Sequence, residues 1–298
     1  MTSLVIILLK LIALCPRVIA QALGKFLGWM TYITNARSAV VSRENLNLCY
    51  PQLSKLEQTQ LLRESLVHTA QTFFETPSVW LGQYSHLHSW IDEIEDESLL
   101  IDAINSSQGV IVLLPHLGNW ELFNIYFARH GSMTALYHPP RQTYLKKPMQ
   151  DIRLRFGNEF VPTTNTGLIR LFRSLNAGGV VTILPDQVPA RGIFSDFFGQ
   201  QALTDLLIPR LLRKTGAVAV AVSIKRRANG RFTLICQKPD PDIYHVSNEI
   251  SAKGLNKTIE ACVALAPAQY QWEYKRFRER PAGEQKLYRA NKLEEFHS

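Results

Sequence analysis

His116 and Glu121 are the residues best placed for chemistry in this 298-residue chain. They belong to the run Val110-Ile-Val-Leu-Leu-Pro-His-Leu-Gly-Asn-Trp-Glu121, which reads as an apolar strand that ends at Pro115 and turns at Gly118. A neutral imidazole accepts a proton near pH 7. A carboxylate hydrogen-bonded to one ring nitrogen fixes the tautomer and steadies the imidazolium, which leaves the other nitrogen for an incoming hydroxyl. On a continuous helix residues five apart point about 140° away from each other, so this pair meets only if the chain turns between them. Asn119 reads as an N-cap, with Trp120 and Glu121 opening a helix whose free first amides are candidates for stabilising an oxyanion. The plainer alternative is a satisfied loop histidine followed by a glutamate that complements the helix dipole.

Asp186 and Gln187 follow a second apolar run, Val180 to Leu184. They stand at the strand edge where open α/β sheets place ligand groups, so they either orient an acceptor or support the His116 loop. A simple turn cap is the alternative.

The elements that must hold these residues are short β-rich runs alternating with helical patterns. Strands are expected at Gly109 to Leu114, Met133 to Tyr137, Glu159 to Pro162, Val180 to Leu184, Ala217 to Ile224 and Phe232 to Cys236. Helices are expected at Trp120 to Arg129, Leu145 to Phe156, Thr166 to Ala177, Leu206 to Lys214 and Asn248 to Leu265. This alternation predicts an α/β fold: one layered domain with a mainly parallel or mixed central sheet flanked by helices. Arg43 to Trp80 is helical apart from a break at Pro51, and Ser54 with Glu57 forms a capping box. The acidic stretch Asp92 to Glu97 reads as a solvated helix or turn.

Residues 1–33 read as a membrane-associating helical segment, with an ordinary buried N-terminal helix as the alternative, and residues 34–298 read as the catalytic domain. Leu4 to Leu14 is apolar except for Lys10, and Pro16 and Arg17 then interrupt the run. No uninterrupted stretch reaches the roughly 20 residues that span a bilayer. Lys10, Arg17, Lys25, Trp29 and Tyr32 suit helices that lie in or dip into a membrane interface. The four cysteines are far apart, which fits a reducing compartment. A formal charge of +8 favours anionic partners: a membrane surface, an acidic carrier protein or nucleic acid. No nucleic-acid-binding motif is present and the basic residues are scattered, so no nucleic-acid partner is expected. The pair His86-x-His88 has no ligand partner at a known metal spacing and reads as a surface feature.

Several blocks in order resemble one family: Arg43-Glu-Asn-Leu46 with Pro51, His116-Leu-Gly-Asn-Trp-Glu121, and Leu184-Pro-Asp-Gln187. They continue with Phe197-Phe-Gly199, Ala202 and Thr204, and end at Pro267-Ala-Gln-Tyr-Gln-Trp-Glu-Tyr-Lys-Arg-Phe277. Together they resemble the late acyltransferases of lipid A biosynthesis, within the glycerolipid acyltransferase fold and its H-x4-D/E motif. The resemblance implies His116 as general base and Glu121 as its orienting acid. It also implies an acyl donor bound to acyl carrier protein, with CoA as the other thioester, and no metal or other cofactor. A glucosamine-based lipid would accept the acyl group at the cytoplasmic face of the inner membrane.

The chain departs from the family where Tyr-Arg-Pro is usual and Tyr137-His-Pro-Pro-Arg141 stands instead. Arg141 is therefore a displaced candidate, and Arg153 and Arg155 match the family's basic helix better. These arginines bind acceptor phosphates bidentately or are helix-surface charges. Asn119, Asp186 and Gln187 complete the candidate substrate-binding set. Phe197 to Gly199 reads as a wall and turn beside the cleft. Lys275, Arg276, Arg278 and Arg280, interleaved with aromatics, read either as an interface for anionic lipid or carrier or as a solvated helix end. The competing functions are another glycolipid or glycerophospholipid acyltransferase with the same chemistry, and a catalytically inactive membrane scaffold.

Overall fold

β-Branched runs too apolar to face water on either side pair into a central sheet with helices on both faces. The computed structural model describes residues 2–137, 151 and 154–288, with side chains from Ile7 onward. Its strands are β1 (Ile91–Glu95), β2 (Val110–Leu113), β3 (Met133–Tyr137), β4 (Glu159–Pro162), β5 (Val180–Ile183), β6 (Ile193–Phe197), β7 (Gln200–Thr204), β8 (Val218–Arg226) and β9 (Phe232–Gln237). The main sheet runs β1-β9-β8-β2-β5-β3-β4; every neighbouring pair is parallel except β8 with β9. β6 and β7 form a separate antiparallel hairpin.

Side chains alternate along β2, so Val110, Val112 and Leu114 enter one core and Ile111 and Leu113 the other. The first core is closed by α6 (Glu97–Asn105) and α7 (Leu122–Phe127), through Leu100, Phe123, Tyr126 and Phe127. The second is closed by α8 (Asn165–Asn176), α9 (Leu207–Thr215) and α10 (Asn248–Ala264), through Leu171, Leu175, Ile208 and Leu255. All six expected strands are present, and the helices expected from Thr166, Leu206 and Asn248 correspond to α8, α9 and α10.

One strand differs from the sequence reading. The acidic stretch is not a solvated helix or turn, because Ile91–Glu95 is an edge strand parallel to β9. Its charges are tolerated there because the edge is open to water and has partners: Glu93 accepts from Thr233, and Asp92 from Arg227. The turn read at Phe197-Phe-Gly199 is the tip of the β6–β7 hairpin, where Phe198 (φ +51°) and Gly199 (φ +72°) both take left-handed backbone, as tight hairpin turns of this kind require.

The N-terminal part comprises α1 (Thr2–Ala13), α2 (Arg17–Ile33), α3 (Arg37–Cys49), α4 (Lys55–Leu81) and the short α5 (Tyr84–His88). Ser54 and Glu57 make the reciprocal capping box that starts α4. Ala20, Gly24 and Gly28 form the buried stripe of α2. A Cβ at Gly24 or Gly28 would lie 2.5 Å from the Cα of Gln71 or Val67, so the missing side chains are what allow α2 to seat on α4. On the opposite face Val18, Leu23, Phe26 and Trp29 are exposed. No described helix alone is long and apolar enough to cross a membrane; Ile7–Ala13 and Arg17–Ile33 pass that test together but are bent by 110°.

Candidate active site

The parallel register of β2 on β5 brings an acid to the histidine. Leu113 pairs with Ile183 at the ends of the two strands, and three residues further along the chain stand His116 and Asp186. Asp186 Oδ1 lies 2.7 Å from His116 Nδ1, while Asp186 Oδ2 accepts the His116 backbone N–H at 2.8 Å. The Asp186 side chain is almost wholly buried. Burial alone would raise its carboxyl pKa, but the adjacent His116 and the hydrogen bonds from its ring and backbone together carry it below the usual carboxylate value. An ionised acceptor at Nδ1 keeps the ring proton on that nitrogen and leaves Nε2 with its lone pair. Nε2 is 3.3 Å from Gln187 Nε2, whose amide also donates to Gln271 Oε1 at 3.2 Å.

The loop after His116 is held from below. Gly118 has φ +60°, and a Cβ there would stand 1.8 Å from the carbonyl oxygen of Ile224, so only glycine fits this approach to β8. Its carbonyl accepts from Thr72 Oγ1 at 2.9 Å. Asn119 is fully buried and donates to Glu75 Oε2 at 3.1 Å. Glu75 in turn pairs with Arg226 of β8, at 2.7 Å from Nη2, and accepts from Gln21 of α2 at 2.7 Å. Arg226 reaches on to His68 Nδ1 at 2.9 Å. One buried polar network thus ties α2, α4 and β8 to the loop, and the sequence reading did not identify it, since Glu75, Arg226 and His68 carry no local motif.

The chain after α10 straps over the same loop. Gly118 N–H donates to Gln269 O at 2.9 Å, and Gln271 N–H to His116 O at 3.0 Å. The buried Asn45 of the Arg43-Glu-Asn-Leu46 block fastens that strap by donating to the carbonyls of Trp272 (2.6 Å) and Tyr274 (2.9 Å). These contacts give a physical reason for two blocks whose roles the sequence left open.

His116 faces a cavity of about 230 Å³ whose walls include Thr69, Phe73, Trp120, Gln271 and Glu273. The Trp120 ring meets the imidazole edge-on with centroids 4.8 Å apart. Burial raises the pKa of the Glu273 carboxyl above the ordinary glutamate value, and Thr69 Oγ1 donates to it at 3.0 Å. Glu273 is a site residue that sequence reasoning recorded only as part of a block.

The remaining candidates fall in different places. The ring nitrogen that the sequence reading gives to Glu121 is met by Asp186, and Glu121 itself is the half-buried residue preceding α7. Asn119 does not cap a helix at Trp120: α7 begins at Leu122, and the Asn119 amide turns to Glu75 instead. The amides at the start of α7 are not free for an oxyanion, because those of Leu122, Phe123 and Asn124 bond to the carbonyls of Asn119, Trp120 and Glu121. Arg155 is exposed and directs its guanidinium to the carbonyls of Trp80 and Gly82. Arg141 and Arg153 lie outside the described residues. The basic cluster divides: Arg276 is buried, donating to Leu203 O at 2.7 Å, whereas Arg278 is exposed.

Residues 1–279 match the family described as bacterial lipid A biosynthesis acyltransferase. Among similar proteins, the lipid A biosynthesis palmitoleoyltransferase of Escherichia coli (strain K12) is 28% identical over 89% of this chain and 87% of its own. The lauroyltransferase of the same organism is 26% identical over 95% and 93%, and the myristoyltransferase 24% identical over 92% and 84%.

Proposed function

This chain belongs to the bacterial lipid A biosynthesis acyltransferase family and is an O-acyltransferase; from that premise we propose that it moves a fatty acyl group from a thioester carrier to a hydroxyl of a lipid A precursor. The observation that carries the catalytic part is the His116 Nδ1 contact with a buried, ionised Asp186 beside a cavity. In this reading Nε2 takes the proton of the acceptor hydroxyl as its oxygen bonds to the thioester carbon. The carbonyl π pair moves to oxygen. Collapse of that tetrahedral species expels the thiolate, which takes the proton back from the imidazolium. No enzymic nucleophile is needed, since the attacking hydroxyl belongs to the substrate. Asp186 holds the ring and balances its transient charge, as a buried acid does for other catalytic histidines. Glu121 is kept as the second acid of the motif, and Gln187 holds the Nε2 lone pair until the hydroxyl replaces it.

Acyl carrier protein is the proposed donor carrier, with CoA as the other thioester. The proposed site of action is the cytoplasmic face of the inner membrane. Support for membrane contact comes from the exposed apolar residues of α2 and from Leu11 and Leu14, accompanied by Lys10, Arg17 and Lys25. The test is to incubate purified protein in detergent micelles with an acyl carrier thioester and each acceptor separately, then weigh the lipids by mass spectrometry. A gain of one acyl group on the lipid A precursor is expected. Acylation of a glycerophospholipid alone, or of no acceptor, would overturn the reading.

A further inference from the structure

The tetrahedral oxygen that forms beside His116 needs a hydrogen-bond donor, and several nearby donors are already engaged. The amides of Leu122, Phe123 and Asn124 are bonded within their own turn. The three threonine hydroxyls on the cavity wall are also taken: Thr69 donates to Glu273 at 3.0 Å, Thr72 to Gly118 O at 2.9 Å and Thr76 to Thr72 O at 2.7 Å. The Gln187 amide is different, because it is held against the base itself. Its Nε2 stands 3.3 Å from His116 Nε2 and 3.2 Å from Gln271 Oε1, and both of those residues line the cavity.

The neighbours of this amide fix which way it points. Asp186 keeps the ring proton on Nδ1, so His116 Nε2 can only accept. A hydrogen bond from the Gln271 side chain favours the ionised form of the Glu273 carboxyl, which leaves Gln271 Oε1 to accept as well. Between two acceptors, Gln187 must present its NH₂ and not its carbonyl. Gln271 is in turn clasped to the His116 loop by its backbone N–H, which donates to His116 O at 3.0 Å.

We propose that the Gln187 amide is the catalytic donor that stabilises the oxyanion, with Gln271 positioning it; the inference rests on His116 acting as general base toward a thioester. When the acceptor hydroxyl takes the place of the amide at Nε2, that N–H is left beside the reacting carbon without its partner. The acceptor oxygen then bonds to the thioester carbon, its proton passes to Nε2, and the carbonyl π pair moves to oxygen. The displaced N–H donates to that oxygen and gives up no proton. Collapse restores the π bond and breaks the carbon–sulfur bond; the thiolate takes the proton from Nε2, and the amide returns there. Since the N–H meets a charged acceptor only when the oxyanion forms, the contact is stronger in the transition state than in the ground state and acts on kcat rather than KM.

The test uses full-length Gln187→Met, which keeps the side chain's length and removes its N–H, with Gln187→Ala as a second variant and melting temperatures to show that each folds. The single-turnover rate at saturating acyl carrier thioester and lipid A precursor should fall by roughly 100- to 1,000-fold, the scale of one lost oxyanion donor, while the KM for each substrate is unchanged. An unchanged or faster rate would overturn the proposal, because the amide would then only cap the Nε2 lone pair. So would a raised acceptor KM with the rate unchanged, which would make Gln187 a residue that orients the acceptor. Failure of the underlying reading shows elsewhere: wild type would leave the lipid A precursor unmodified, or His116→Ala would keep its rate. Should wild type acylate another acceptor, the same comparison on that acceptor still decides the role of Gln187.

Discussion

His116 Nδ1 and Asp186 Oδ1 lie 2.7 Å apart although seventy positions separate them in the sequence, and the register of two parallel strands brings them together. Because Leu113 opposes Ile183, any residues equally far beyond those positions emerge side by side at the same sheet edge. The acid that meets the ring therefore follows a neighbouring strand, and the H-x4-E spacing alone does not identify it.

Replacing Asp186 with Asn should lower kcat by at least roughly 100-fold, because the ring then loses both its ionised partner and its enforced tautomer. Glu121→Gln made in parallel measures the share of the motif's own acid. If D186N retains full turnover while E121Q does not, the orienting role passes to Glu121.

Glu75→Gln should destabilise the protein by about 3–5 kcal/mol, since it leaves Arg226 buried without its counter-charge. Urea unfolding at constant pH reads this directly. A change below about 1 kcal/mol would mean that the Gln21, Asn119 and Thr72 contacts hold the network without the ion pair.

These two cases mark what the sequence makes legible. The six strands, the capping box at Ser54 and the His116 loop were readable because period, cap and breaker signals are local. Asp186 was visible as a residue at a strand end, but its partner depends on which strands are neighbours. β1 was hidden because Asp92, Glu93 and Glu95 carry charge where a strand signal needs apolar alternation, and those charges are accommodated by an open edge. Arg276 read as a surface cation because nothing near it in sequence announces the Leu203 carbonyl that receives it.

His68 gives a pH signature. Burial, then the charge of Arg226, lowers its pKa from 6.5 to about 4, so the folded protein holds it neutral. The unfolded chain binds that proton below about 6.5, and stability is therefore full above that value and falls as pH drops toward 4. Melting temperatures between pH 7 and pH 4.5 should fall more steeply for wild type than for His68→Gln, which keeps an acceptor for Arg226. Parallel curves would contradict the assignment.

On α2, Phe26→Glu with Trp29→Glu alters two exposed side chains and should leave the melting temperature unchanged. Co-sedimentation with anionic vesicles should fall by roughly 10-fold or more, given about 1.5–3 kcal/mol for each large apolar side chain withdrawn from the interface. Undiminished vesicle binding would assign membrane contact to another surface.

The central claim is that the His116 ring removes the acceptor's proton, and the single-turnover rate of a folded His116→Ala variant tests it most directly. With acyl carrier thioester and lipid A precursor both saturating, that rate should drop by at least roughly 100-fold while the melting temperature holds. A rate equal to wild type would contradict the account.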